Sequence, residues 1–358
     1  MKKILLSALP VLCAALLMTA CDDDNATANY SVPLDEAVGS YTGDKLQINV
    51  GGQSVLLLSG ETAQISGSDA NQLTISIPDY AVPGETGLTF TDVKMTTPLF
   101  NVFEGTSSNA SRDITLSGEL RDGRLTLNLT PTYKSDIIGV WNLNLETDDF
   151  GTATLTPISI ETEQDISGSQ FIVQILGALL KGSMAVVNID FQADGNLTAT
   201  YNSNLLNDMM PALSGEQISP VFVHSPLNAI KWYVKDGALY LVPNLNLMLK
   251  NDPSKAQLGP LDPGTITTVG IPLYFKKEGD KMTVYVSKEQ TAPVFGLLST
   301  VISMIDPSFE LSLGGSSLPL RSLLEALVKP LIDAALAAER FDLCLNLVAG
   351  AIPEEAPQ

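Results

Sequence analysis

The residue types best suited to catalysis in this chain are one histidine, three cysteines and many carboxylates. His224 ends the apolar run Val221-Phe222-Val223, directly before Ser225-Pro226. A Ser-His-Asp triad needs a serine on a sharp elbow, and no Gly-x-Ser-x-Gly occurs in the sequence. One histidine also excludes a metal site built on paired imidazoles. We therefore interpret His224 as a structural or rim residue and expect no catalytic site.

Paired carboxylates are the second candidate for chemistry, because glycoside hydrolysis uses two of them. Pairs such as Asp148-Asp149 and Glu354-Glu355 are common in a chain with 40 Asp and Glu. They fall in a predicted turn and in the C-terminal tail, where solvation explains them. A hydrolase stays a third hypothesis, which predicts a cleft of carboxylates with shifted pKa values. The spaced ligands of a calcium-binding hand are absent.

The charge of the chain limits its partners. Forty acidic residues against 20 Lys and Arg give a formal net charge of −20, which repels nucleic acid and anionic membrane surfaces. With 45% hydrophobic and 17% charged residues, the chain is typical neither of a disordered protein nor of a coiled-coil rod. We expect no nucleic-acid partner, no cofactor and no metal.

The N-terminus has the organisation of a secretory leader, residues 1–20. Lys2 and Lys3 precede an apolar run from Ile4 to Met18, which ends in the small residues Thr19 and Ala20. At about 15 residues this run is shorter than the roughly 20 that a membrane-spanning helix needs.

The four residues Met18-Thr19-Ala20-Cys21 resemble the cleavage site of bacterial lipoproteins, in which the cysteine is acylated and becomes the new N-terminus. The resemblance implies lipid attachment at Cys21 and stable anchoring in a membrane. The alternative is ordinary secretion with a free Cys21. Cys13 leaves with the leader, so Cys344 has no partner for a disulfide, and we interpret it as a small apolar core residue.

An acidic triplet, Asp22 to Asp24, follows the cysteine and opens a polar stretch, so we interpret residues 21–30 as a flexible tether. The triplet resembles the surface-export signal of lipoproteins in the Bacteroidetes, which implies an outer-membrane protein exposed on the cell surface. In enteric bacteria an Asp after the cysteine would instead favour inner-membrane retention. Because three acids are present where retention needs one, we favour the cell surface.

From Tyr41 onward, short segments of alternating apolar and polar residues are separated by turn dipeptides, which predicts antiparallel sheet. Examples are Leu73 to Ile77, Ile114 to Ser117 and Leu125 to Leu129. We predict a mainly β protein with two antiparallel barrel or sandwich domains, residues 31–136 and 137–358.

Two landmarks indicate an internal repeat. Val38-Gly39-Ser40-Tyr41 opens the first copy and Ile138-Gly139-Val140-Trp141 the second. Asp122-Gly123 and Asp236-Gly237 each lead into a late strand, and Asp-Gly is a strong signal for a hairpin turn. Further hairpin turns are predicted at Asp194-Gly195 and Gly279-Asp280.

The second domain also carries helix-like insertions at about residues 170–180, 294–305 and 319–340. The third has an apolar stripe at helical spacing, for which Pro319 suits the first turn and Pro330 a bend. After it, apolar residues alternate from Phe341 to Leu347 and predict a final strand closing the second sheet.

Gly139-Val140-Trp141 at the start of a set of hairpins resembles the opening of a lipocalin-type barrel, where such a tryptophan closes the barrel floor. Gly39-Ser40-Tyr41 resembles a degenerate copy. In plan the chain is similar to two-domain lipoproteins of gut Bacteroidetes that carry lipocalin-like or calycin-like β domains. The alternative is that Trp141 is an ordinary core aromatic.

The helical stretches offer more aliphatic surface than a small barrel needs, so they either cover the sheet or line a cavity. We expect a non-enzymatic lipoprotein whose C-terminal domain binds an apolar or amphiphilic small molecule between its sheet and residues 291–340. Trp232, Tyr233 and Met304 are the candidate lining residues. The alternative is an adhesion or glycan-binding module that exposes aromatic residues such as Tyr80 and Phe100.

Replacing Cys21 by serine tests the anchor. We expect Cys21→Ser to abolish incorporation of an alkyne-labelled fatty acid in cells, because acylation of the mature N-terminus requires the thiol. Cys344→Ser is the matched control and should be labelled like the wild type. Undiminished labelling of Cys21→Ser would contradict the prediction.

Overall fold

The protein is mainly β in its computed structural model. The residues that the structure describes are 34–55, 57, 60–96, 101–144, 157–162, 177, 186–204, 208, 217–244, 267–288, 310–313, 316–319, 321–322, 325–326 and 338–350. Among them, no helix has the length and apolar character needed to cross a membrane.

The first sheet has nine strands and follows a short helix, Leu34–Ala37. Its strands are β1 Gly39–Thr42, β2 Leu46–Val50, β3 Gln53–Ser54, β4 Thr62–Ser66, β5 Leu73–Ser76, β6 Thr89–Thr96, β7 Asn101–Ser108, β8 Arg112–Arg121 and β9 Arg124–Tyr133. A 3₁₀ turn, Gly43–Lys45, separates β1 from β2. The spatial order is β1-β4-β5-β6-β7-β8-β9-β2-β3, and every pairing is antiparallel except that of β2 with β9. The sheet curls into a half-barrel.

The concave side of the half-barrel is filled with apolar side chains. Along β8 and β9 buried and more exposed residues alternate, as the pleat of a strand requires. Ile48, Ile65, Phe90, Phe103 and Leu127 are all 0% exposed. This alternation confirms the strands predicted around Leu73, Ile114 and Leu125.

The second sheet is built from strands after residue 138. They are β10 Gly139–Leu143, β11 Ile158–Thr162, β12 Val186–Phe191, β13 Asn196–Asn202, β14 Phe222–His224, β15 Ile230–Lys235, β16 Ala238–Pro243, β17 Ile271–Glu278 and β18 Lys281–Val286, with a last strand, numbered β21 in chain order, at Phe341–Ala349. A separate ribbon pairs β19 Glu310–Leu313 with β20 Ser316–Pro319. None of the described strands belongs to both main sheets. The last strand of the first sheet ends at Tyr133, and the first strand of the second sheet begins at Gly139. The domain limits given above stay a prediction.

Eight strands of the second sheet form a closed antiparallel barrel. Their order is β10-β12-β13-β15-β16-β17-β18-β21, and β21 returns to pair with β10. The closing register is Trp141 with Ala349, Asn142 with Val348, and Leu143 with Leu347. Strand β11 pairs with the first half of β21, and β14 pairs with β13.

The two openings of the predicted repeat share one hydrogen bond. The Tyr41 hydroxyl donates a hydrogen bond of 2.7 Å to the Ala37 carbonyl, four residues earlier. The Trp141 indole N–H donates a hydrogen bond of 2.7 Å to the Ile137 carbonyl, again four residues earlier. Each bond satisfies the polar atom of a buried aromatic side chain and fixes how the chain enters its sheet.

The two late Asp-Gly turns also match. Asp122 and Gly123 have φ angles of 52° and 74°, and Asp236 and Gly237 have φ angles of 52° and 78°. Two consecutive positive φ angles are the signature of the type I′ hairpin turn, so these predictions are confirmed.

Three predictions on the second half have different outcomes. The final strand is confirmed as β21. The helical insertions lie largely outside the described residues, although Arg321, Ser322, Glu325 and Ala326 are helical. The predicted first residue of the third helix, Pro319, is instead the last residue of β20, because it pairs with Glu310 in the β19–β20 hairpin.

The half-barrel contacts the barrel at the end where the short hairpins of the barrel lie. The Tyr133 N–H donates to the Ala193 carbonyl at 2.7 Å, and Lys235 Nζ donates to the Gly84 carbonyl at 3.1 Å. A Cβ on Gly84 would lie 2.5 Å from the ring of Tyr233. We call this contact region the joint.

Paired glycine substitutions measure how tightly the joint is packed. Gly84 and Gly87 have φ angles of 81° and 64°, but a Cβ on Gly87 would meet nothing within 4 Å. Both alanine variants carry the backbone cost of about 1–2 kcal/mol, so the difference between them isolates the clash with Tyr233. We expect Gly84→Ala to lose about 1–3 kcal/mol more unfolding free energy than Gly87→Ala in urea titrations. Equal losses would contradict this packing.

Candidate functional site

The strand register shows which side chains point into the barrel. Residues paired across strands share a face, and neighbours along one strand point to opposite faces. Six large apolar residues on the inward face, near the short hairpin turns, are 0–3% exposed. These residues, which we call the floor, are Trp141, Phe191, Trp232, Leu239, Met282 and Leu347.

Trp232 is the centre of the floor. Its indole N–H donates to the carbonyls of Gln192 and Asn196 at 3.1 and 3.0 Å. The ring of Phe191 meets it edge-on at a centroid distance of 5.5 Å, and Tyr133 of the half-barrel lies at 5.6 Å. Trp232, which the sequence suggested as a lining residue, is therefore fully buried as packing at the closed end.

Farther from the hairpin turns, the inward residues are less covered. Five aliphatic residues, which we call the wall, are only partly buried; they are Ile189, Leu241, Leu273, Leu343 and Leu345. Strand β18 differs, since its inward residues Met282, Val284 and Val286 are all buried. The barrel thus has six closely packed floor residues, with the partly buried Leu197 and Val234 beside them, and, beyond them, an apolar wall with remaining accessible surface.

The outward face of β17 has the opposite character. The outward residues Tyr274, Lys276 and Glu278 are exposed, while the inward Leu273 and Phe275 between them are partly buried. Strand β17 is therefore amphipathic, with its apolar side toward the lumen.

Tyr233 lies on the other face of β15 from Trp232, so these two candidates do not share a pocket. Its hydroxyl donates to the Val269 carbonyl at 2.6 Å, and its ring stacks on Tyr240 with centroids 4.8 Å apart. Burial, and then the nearby Tyr240 and Tyr80, raise the pKa of Tyr233. Tyr233 belongs to the joint. Met304, Phe100 and Cys21 lie outside the described residues.

A cleft of about 180 Å³ opens at the joint. The half-barrel lines it with Glu85, Thr86, Ser111 and Arg112, among others, and the barrel lines it with Tyr233, Val234 and Lys235. We call it the joint cleft. No local pattern in the sequence predicts this cleft, because its two sides are about 100 to 150 residues apart in the chain.

Lys231 is an unusual group beside the joint. Its ammonium nitrogen is buried and has no hydrogen-bond partner in the part of the chain that the structure describes. A Cβ on Gly51, in the half-barrel, would lie 3.4 Å from this nitrogen. Burial lowers the pKa of Lys231, and the carboxylate of Asp194 only partly opposes that effect.

Within the described ranges, neither Cys344 nor His224 has the partners of a catalytic arrangement. The pKa of Cys344 is raised to about 11, chiefly by burial, so its thiol is protonated and unreactive at neutral pH. His224 is exposed in β14, with Nδ1 2.9 Å from the hydroxyl oxygen of Thr200. The described residues contain no group of three or more His, Cys, Asp or Glu that could hold a metal ion.

Comparison with known proteins found no family model, no curated protein and no solved structure that matches the chain. The functional argument therefore depends on the geometry of the barrel and of the joint.

Replacing Lys231 by methionine tests its buried position. The folded state binds the lysine proton more weakly than the unfolded chain, so stability is reduced at neutral pH and recovers as the pH rises toward the ordinary value of 10.5. We expect Lys231→Met to raise the unfolding free energy by about 1 kcal/mol at pH 7, with a smaller gain near pH 10. Lys94→Met, at an exposed position of β6, is the control and should change little. A destabilised Lys231→Met would show that the ammonium has a stabilising partner.

Proposed function

We propose that the protein is a non-enzymatic, lipid-anchored lipoprotein of the outer membrane, exposed on the cell surface, whose barrel binds an apolar or amphiphilic small molecule. The observation that carries this proposal is the wall. Five aliphatic residues face the lumen of a closed barrel and keep accessible surface, beyond six floor residues that are 0–3% exposed.

The chemistry of the lumen selects the class of ligand. Between the floor and the opposite end, the inward residues are aliphatic or aromatic: Ile189, Ala199, Leu241, Leu273, Phe275, Val284 and Leu345. Removing apolar surface from water contributes about 25 cal/mol per Å², so an acyl chain or a flat apolar ring would gain most from this environment. A charged ligand would lose its hydration without finding a partner on these residues.

The interior of the half-barrel differs from the lumen of the barrel, which supports a ligand site in the barrel. Twenty-two hydrophobic residues of the half-barrel are 0–6% exposed, and Met95 is one of the few partly buried residues packed against them, so its interior is a largely filled core. Tyr133 of the half-barrel also packs against the barrel floor through Trp232. A ligand would therefore enter from the end opposite the hairpin turns, where the long connecting segments begin.

The lipocalin-like character of the barrel is part of the proposal. Trp141 comes two residues after Gly139 in the first strand of the barrel and lies in the floor, as the resemblance implies. The sequence predicts that residues 291–340, which lie largely outside the described residues, form the other side of the ligand site. The tether after Cys21 would keep the barrel close to the membrane that supplies amphiphiles.

Two leucines on one strand provide a matched test. Leu239 and Leu241 both point into the barrel from β16, but Leu239 is 1% exposed in the floor and Leu241 is partly buried in the wall. We expect Leu241→Trp to fold with nearly unchanged stability, since the ring has space, and to lose most of its affinity for a fluorescent fatty acid such as parinaric acid. Leu239→Trp should instead lose about 1–3 kcal/mol of stability through overpacking.

The measurements are thermal unfolding and fluorescence titration of the purified mature chain, together with mass spectrometry of its organic extract. Co-purified lipid and fatty-acid binding that Leu241→Trp removes would support the proposal. A wild type that binds no fatty acid and yields no lipid would contradict it, as would a Leu241→Trp variant destabilised as much as Leu239→Trp.

A further inference from the structure

Most of the exposed large hydrophobic side chains in the described part of the chain lie on one short stretch of the barrel. Tyr201, Val221, Phe222 and Leu227 are 37%, 54%, 44% and 59% exposed. Within the described ranges only three further residues of this kind are exposed, and they are scattered: Tyr80, Ile138 and Tyr274. Single exposed hydrophobic residues are normal on a protein surface, whereas a cluster of them marks an interaction site.

Three of the four residues lie beside one another at the end of two paired strands. Tyr201 and Phe222 occupy adjacent register positions of β13 and β14. The Val221 carbonyl accepts a hydrogen bond of 2.8 Å from the Ser203 N–H, directly beyond β13. Leu227 follows in the turn between β14 and β15. We call these four residues, Tyr201, Val221, Phe222 and Leu227, the rim patch.

The rim patch extends from the outer surface of the barrel to its lumen. Tyr201 shares the inward face of β13 with Ala199, whereas Phe222 pairs with the outward Asn202. Strand β13 runs from the hairpin turn at Asp194-Gly195 toward this end of the barrel. Under the proposed function, this is the end by which a ligand enters. The patch therefore borders the mouth of the lumen.

Hydrogen bonds fix the backbone that carries the patch. The Asn202 side chain accepts a bond of 3.0 Å from the Val221 N–H and donates one of 2.6 Å to the carboxyl group of Asp208. Asp208 is only 4% exposed and also accepts a bond of 3.2 Å from the Asn204 side chain. The apolar side chains are thus held in place before any partner arrives, which lowers the ordering cost of docking.

The two segments that form the patch carry no formal charge on Asp, Glu, Lys or Arg. Residues 195–207 and 217–230 contain none of these four types, although they make up 17% of the chain. The net charge of −20 repels anionic surfaces, so an uncharged stretch is where a lipid surface can approach. Aromatic side chains such as Tyr and Phe also favour the boundary between lipid headgroups and acyl chains. This chemistry favours a lipid surface without net charge.

We propose that the rim patch docks the protein on a net-neutral lipid bilayer, with the mouth of the barrel toward the lipid. The inference rests on the proposed function in one respect, namely that the bilayer supplies the amphiphile that enters the lumen. The amphiphile then passes from the bilayer to the wall without exposing its acyl chain to water, which is unfavourable. Docking itself is driven by the apolar area that Val221, Phe222 and Leu227 lose to lipid.

Tryptophan fluorescence tests which surface meets the lipid. The two tryptophans of the chain, Trp141 and Trp232, are at most 3% exposed, so a third one on the surface reports its own surroundings. The protein is the mature chain with Cys21→Ser, which has no acyl anchor, and the probe is a vesicle of phosphatidylcholine. Phe222→Trp places the reporter in the rim patch. The matched control is Tyr274→Trp, because Tyr274 is 37% exposed on the outward face of β17.

We expect vesicles to shift the emission of Phe222→Trp to shorter wavelength and brominated phosphatidylcholine to quench it, with neither effect in Tyr274→Trp. The joint replacement of Val221→Ser and Phe222→Ser should lower the affinity for vesicles about tenfold. Tyr274→Ser should leave that affinity unchanged. Replacing part of the lipid by anionic phosphatidylglycerol should weaken binding, since the protein is strongly negative.

The inference is overturned if the chain does not bind phosphatidylcholine vesicles, if brominated lipid quenches both reporters equally, or if the joint serine variant keeps its full affinity. It is also overturned if the joint variant instead dissociates a dimer, because the patch would then be an interface between two copies of the chain. Fatty-acid binding from solution should be unchanged in the joint variant. Docking and the lumen are thus measured separately, and either proposal can fail without the other.

Discussion

The pairing of β10 with β21 is the contact on which the rest of the structure depends. Three residue pairs, from Trp141–Ala349 to Leu143–Leu347, convert a curled sheet into a closed barrel. Strand β21 is nine residues long because it pairs with β18 on one side and with β11 and then β10 on the other. Closure removes the edges of the eight strands and assigns one face of every strand to the lumen. The alternating pattern of each strand then has to supply an apolar interior.

The same plan of opening and hairpin gives different interiors in the two sheets. Tyr41 and Trp141 make equivalent bonds to the carbonyl four residues earlier, yet the first sheet closes on a filled core and the second on a floor and a wall. The half-barrel covers the hairpin end of the barrel through Tyr133. Under the proposed function, a ligand would enter the barrel from the other end.

Local signals in the sequence were sufficient for the strands and turns. The alternation from Phe341 to Leu347 predicted β21, and Asp122-Gly123 and Asp236-Gly237 predicted two type I′ turns, since each signal depends only on neighbouring residues. The start of the third helix was predicted at Pro319, because proline suits a first turn, but pairing with Glu310–Leu313 decides that segment. The prediction of the residues that line the ligand site was the least accurate. Trp232 and Tyr233 are neighbours in one strand, so their side chains point to opposite faces of the sheet. This rule alone predicts that they do not line the same pocket. The joint cleft and the buried Lys231 depend on contacts between distant segments, which no local pattern reveals.

The central claim is that the wall encloses unfilled apolar space, and pressurising a crystal of the mature protein with xenon tests it most directly. Xenon enters dry apolar cavities and is located by its anomalous scattering. We predict a xenon site inside the barrel, in contact with Leu241, Leu273 or Leu345 and on the far side of the floor from Tyr133. A barrel that takes up no xenon, its lumen filled by side chains of the chain itself, would contradict the account.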